Sequence, residues 1–67
     1  MYDIKEAMKT IQDSSKLDIG KRSIDIDNDV WRQYCELSKK TNLNKSCLNT
    51  IMCQFFSEEL KKLLEEE

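Results

Sequence analysis

Residues 21–26, KRSIDI, alternate in character, and the alternation has no second run to pair with. Ile24 and Ile26 point one way, while Lys21, Ser23 and Asp25 point the other. A period of two with β-branched residues is a strand signal. A lone strand leaves its backbone N–H and C=O groups unpaired, which is costly. No other stretch of the chain reads as a strand. The pattern therefore predicts that strand 21–26 pairs with its own copy and that the folding unit is a homodimer.

Length points the same way. A chain of 67 residues is one domain at most, close to the lower limit for a single core. Chains this short need a staple: disulfides, a metal or oligomerisation. Cys35, Cys47 and Cys53 are odd in number and lack the close paired spacing of a zinc site, and there is no histidine. The cysteines read as small core or interface fillers, although Cys47 falls in the first turn of a helix, where a thiolate is favoured. No apolar run reaches membrane-spanning length. Oligomerisation in a reducing cytoplasm, without metal or cofactor, is the expectation.

Two helices follow the strand. Asp27 suits an N-cap, and Asp29 adds favourable charge in the first turn of a helix over 28–41. Val30, Tyr34 and Leu37 give its apolar face, with Trp31 beside it. Asn42 is expected to end it as a left-handed C′ residue. Residues 42–44 make the turn, and Asn44 caps a helix over 45–64. Leu48, Ile51, Met52, Phe55 and Phe56 form a stripe wide enough for a helix buried on more than one side. Leu60, Leu63 and Leu64 prolong it, and Glu58–Lys62 is a supportive i, i+4 pair. Residues 65–67 read as a frayed acidic tail. Upstream, residues 1–20 form an arm. Ile4, Ala7, Met8 and Ile11 mark an amphipathic helix over 3–12, and residues 13–20 form a polar linker ending at Gly20, the only glycine.

Charge is unevenly spread. The net of −2 divides into −1 over residues 1–20, +2 over 21–57 and −3 over 58–67. A mildly basic middle with an acidic end fits a nucleic-acid binder with a solvated tail, though strong binders usually carry a clearer basic footprint. Enzymatic chemistry finds no foothold. There is no histidine, no glycine-rich phosphate loop and no paired carboxylates on separate rigid elements.

The run RSIDIDNDVWRQYCELSKKTNLNKSCLNTIMCQFF resembles the ribbon-helix-helix (Arc/MetJ-type) DNA-binding family without a gap. Ile24 and Ile26 take the inward strand positions, and Asp27 takes the cap. Val30, Tyr34 and Leu37 match the first helix; Leu48, Ile51, Met52 and Phe55 match the second. Asn42 stands where the family commonly has glycine. The resemblance covers somewhat over half the chain, and its signal lies in the register rather than in any single motif.

The resemblance implies a mainly α fold with one short strand: an intertwined homodimer with a two-stranded antiparallel ribbon, over residues 21–64. Its dimer core would hold Ile24, Ile26, Val30, Trp31, Tyr34, Leu37, Leu48, Ile51, Met52 and Phe55. It also implies a sequence-specific transcriptional regulator, a repressor, that inserts the ribbon into the major groove of double-stranded DNA. Lys21, Ser23 and Asp25 would read bases. Asn44, Lys45 and Ser46, at the start of the second helix, would hold a phosphate. Arg22, where the family has an apolar residue, would either snorkel to a phosphate or stay solvated. Asp25 departs from the family's basic or amide residue. It would accept from cytosine N4, or pair with Lys21 of the other strand for roughly 0.2–1 kcal/mol.

Two other functions fit the same scaffold. One is a protein-binding module, an antitoxin or an inhibitor of another factor, with a partner held by residues 3–12 or the acidic C-terminus. The other is plasmid partition or relaxosome DNA binding. The arm over 1–20 is either flexible until DNA orders it or a helix docked on the dimer or a partner.

Overall fold

In a computed structural model, which describes residues 2–66, the chain is a set of helices joined by extended segments. Helix α1 is Ile4–Thr10, a 3₁₀ turn covers Ser14–Lys16, α2 is Asn28–Ser38 and α3 is Lys45–Glu65. Each α-helix starts where a short polar side chain satisfies orphan backbone donors. Asp3 accepts from the Glu6 N–H, and Asp27 accepts from the N–H groups of Asp29 and Val30. Asn44 accepts from the Cys47 N–H at 2.9 Å. Its amide nitrogen also donates to Ser14 Oγ at 3.0 Å, so one side chain joins the 3₁₀ turn to the start of α3.

The expected strand is absent, and this corrects the fold class. Among the described residues there is no β-strand, and residues 18–26 make no backbone–backbone hydrogen bond. The segment is extended but unpaired, and Ile24 is 70% exposed. The physical reason lies in what alternation encodes. It sets the direction of successive side chains, whereas a strand exists only where a second backbone meets the first. The two-stranded ribbon, and the intertwined architecture built on it, fall together. So does the cross-strand pairing of Lys21 with Asp25. Among the described residues the ion pair formed is Arg32–Asp29, at 3.0 Å on one exposed helix face.

The end of α2 also differs. The helix stops at Ser38 rather than at 41, and no described non-glycine residue has positive φ, so Asn42 is not left-handed. Instead the chain tightens into 3₁₀-type bonds, Lys40 N–H to Leu37 O and Thr41 N–H to Ser38 O. The Ser38 hydroxyl donates to Cys35 O and the Thr41 hydroxyl to Ser38 O. These bonds take up the carbonyls that a left-handed residue would otherwise serve.

The core lies on one face of α3. Ile51 and Cys47 are fully buried and Leu48 nearly so. At about 100° per residue these three lie on the same side of the helix as Phe55, within about two turns of it. Helix α1 lies against that side, with Ile4, Ala7, Met8 and Ile11 half-buried. The Tyr2 hydroxyl donates to Gln54 Oε1, and its ring stands 6.3 Å from that of Phe55.

One copy packs loosely. Its Cα radius of gyration is 13.1 Å, against about 11 Å for a compact domain of this length. Of the dimer core expected from the sequence, only Leu48 and Ile51 are buried. Ile24, Ile26, Val30, Trp31 and Leu37 are exposed, and Tyr34, Met52 and Phe55 are half-buried.

Ile51 should therefore dominate the stability of the chain. Ile51→Ala removes its one centrally placed aliphatic side chain and should cost about 2–5 kcal/mol. Urea unfolding followed by helical circular dichroism measures this. A loss below about 1 kcal/mol, the range of a volume-conserving swap, would place the core elsewhere.

Candidate nucleic-acid interface and apolar groove

Two surface features stand out, one charged and one apolar. The charged one surrounds the α2–α3 turn. From Leu37 to Ser57 the chain holds no acidic residue, while Lys39, Lys40 and Lys45 give it +3. Lys39 and Lys40 are exposed at the end of α2, and Lys45 is the first residue of α3. The positive end of the α3 dipole adds to this charge.

Lys45 is held in place by its neighbours. Its ammonium lies 5.5 Å from the centre of the Trp31 ring and 3.7 Å from Cys35 Sγ. Trp31 itself stacks at a tilt on Tyr34, 5.3 Å between centroids. The Tyr34 hydroxyl donates to Asn49 Oδ1, tying the middle of α2 to α3. Burial raises the pKa of Tyr34 above its ordinary value, with smaller contributions from Cys35 and Cys53.

Asn44, Lys45 and Ser46 do lie together at the α3 start. Asn44 is already committed to capping, and the N–H groups of Lys45 and Ser46 have no protein acceptor among the described residues. Lys21, Ser23 and Asp25 are exposed along the extended segment, with no ribbon to array them. The Arg22 guanidinium turns back to donate to Gly20 O at 3.2 Å. The acid-free run from 37 to 57 is averaged out over 21–57, a stretch that also contains Asp25, Asp27, Asp29 and Glu36. The signal was present at finer spacing.

The apolar feature is an open groove of about 1380 Å³ between the extended segment, α2 and α3. It is lined by Ile24 and Ile26 of the extended segment, Val30 and Trp31 of α2, and Met52 and Cys53 of α3. The three cysteines differ in setting: Cys47 is buried, Cys35 half-buried and Cys53 exposed. Among the described residues no three acidic, cysteine or histidine side chains gather as a metal site, and no helix is long and apolar enough to cross a membrane.

Comparison with known proteins finds no matching family model, no matching curated protein and no matching solved structure.

The Tyr34 environment gives a pH test. Tyr34 is harder to ionise in the folded chain than in the unfolded one, so its stability contribution is complete below pH about 10 and is lost above it. Tyr2 behaves alike, through burial and the nearby Glu58. Folding stability should fall as pH rises past 10, and less steeply in Tyr34→Phe. Identical pH profiles for the two proteins would show that Tyr34 is not packed as described.

Proposed function

We propose that this chain is a cytoplasmic DNA-binding transcriptional regulator, a repressor, that acts as a homodimer and grips double-stranded DNA by its phosphates through the α2–α3 turn. The observation that carries this reading is the acid-free, +3 run from Leu37 to Ser57, whose lysines bracket the turn. Phosphate contacts supply most non-specific affinity and fix a protein's orientation on the duplex. Lys39, Lys40 and Lys45 provide cations, and the α3 start provides free N–H donors and a positive dipole end. The glutamates of α3 lie away from this edge, since Glu58, Glu59, Glu65 and Glu66 belong to its far half and its cap, while Glu36 stands one turn before Lys39 and Lys40. This contact requires no strand. The smallness of the buried core supports the two-copy form.

A second reading, a protein-binding module such as an antitoxin or an inhibitor, is favoured by the apolar groove. Wide exposed apolar surface rimmed by polar residues marks protein interfaces more often than DNA interfaces.

Salt separates the two. Affinity for mixed-sequence duplex DNA should fall linearly on a log–log plot, by about 0.9 for each neutralised phosphate. Replacing Lys39, Lys40 and Lys45 by alanine should flatten that slope by up to about 2.7 per bound protomer. Absence of any gel retardation of duplex DNA at low salt sinks the DNA reading and leaves the protein-binding one.

A further inference from the structure

The accessible surface of one copy is 6098 Å², whereas a folded monomer of this mass exposes about 4,500 Å². The excess, on the order of 1,600 Å², is about twice what each partner buries in a standard interface. The exposed large apolar side chains fall mainly into two places. One is the groove already described. The other is the outer side of α3, where Phe56, Leu60, Leu63 and Leu64 are all exposed, Leu64 at 68%. At about 100° per residue, Phe56, Leu60 and Leu64 lie roughly opposite Ile51, so α3 is apolar on two opposed faces. The inner face is packed and the outer one is bare.

We infer that the groove of one copy receives the outer face of the C-terminal half of α3 from a second copy, reciprocally, with the two α3 helices antiparallel. Three observations fix the occupant. The ridge is helical and aliphatic, which is the complement of a groove walled by Ile24, Ile26, Val30 and Trp31. The charges are complementary between copies. Residues 58–67 carry −3, and the pairing sets them beside Lys45, the first residue of α3, leaving Lys39 and Lys40 of the turn to the duplex. Antiparallel pairing sets the acidic end of each helix beside the basic end of its partner, whereas parallel pairing sets acid against acid. Oppositely directed helix dipoles favour the same arrangement. Finally, groove and ridge belong to the same chain, meeting at Phe56, so a two-fold axis satisfies both at once in a closed, isologous dimer. Residues 18–26 then serve as a groove wall.

The inference rests on the two-copy part of the reading above and not on its DNA contact. It is tested by sedimentation equilibrium of the full chain without DNA. The wild type should be a dimer at micromolar concentration. A ridge variant, Leu60→Glu with Leu63→Glu, and a groove variant, Ile26→Asp with Val30→Asp, should each be monomeric. An equimolar mixture should recover dimer, because one groove–ridge contact survives between the two variants. A monomeric wild type, a dimeric ridge variant or a mixture that stays monomeric each overturns the inference. Should either variant lose its helical signal, charge reversal at exposed positions decides. Glu65→Lys should weaken the dimer several-fold and Lys45→Glu in the same chain should restore it; an unchanged dimer constant overturns the inference. A dimer that fails to retard DNA removes the DNA contact alone, and a DNA-binding monomer removes the interface alone.

Discussion

The burial of Ile51 and Cys47 on α3 holds the described structure together, because few other side chains are fully withdrawn from water. A seven-residue helix such as α1 does not persist alone. It exists because its half-buried face rests on α3, aided by Tyr2 against Phe55 and Gln54. The arrangement of α2 depends on the same helix through the Tyr34–Asn49 hydrogen bond and the stacking of Lys45 on Trp31. Helix α3 is thus the spine, and every other element is fastened to it by a small number of side chains.

The same helix separates charge along its length. Its 21 residues extend about 30 Å, from a lysine-bearing N-terminus to a glutamate-rich end. That polarity gives the turn a local positive field within a chain whose net charge is negative. Over distances beyond about 10 Å at ordinary salt the opposing end is screened, so the local sign governs contact with a polyanion.

The helices were largely legible in the sequence, and the reason is local. Asp27 and Asn44 announce their helices through bonds to donors two or three residues on, which need nothing else from the fold. The helix expected over 28–41 ends at Ser38 because Ser38 and Thr41 take up carbonyls by hydroxyl bonds, a device that composition does not distinguish from a left-handed Asn42. Residues 21–26 failed for a different reason. Ile24 and Ile26 do share a direction, but pairing is a property of two backbones, and alternation describes only one. At the candidate interface, Asn44, Lys45 and Ser46 are legible together because adjacency in sequence is adjacency at a helix start. The seating of Lys45 on Trp31 joins residues fourteen apart and depends on how α2 returns to α3, which no periodicity specifies.

In the proposed dimer, the two opposed apolar faces of α3 tie the lifetime of the chain to its abundance. A protein that completes its packing only on meeting its copy is protected in proportion to its own concentration. When scarce it is open to proteolysis, and when plentiful it survives. Synthesis below that threshold leaves little behind, while synthesis above it accumulates disproportionately. In the proposed regulator this would sharpen the response to its own expression without any ligand, using nothing more than a helix with one apolar ridge left bare.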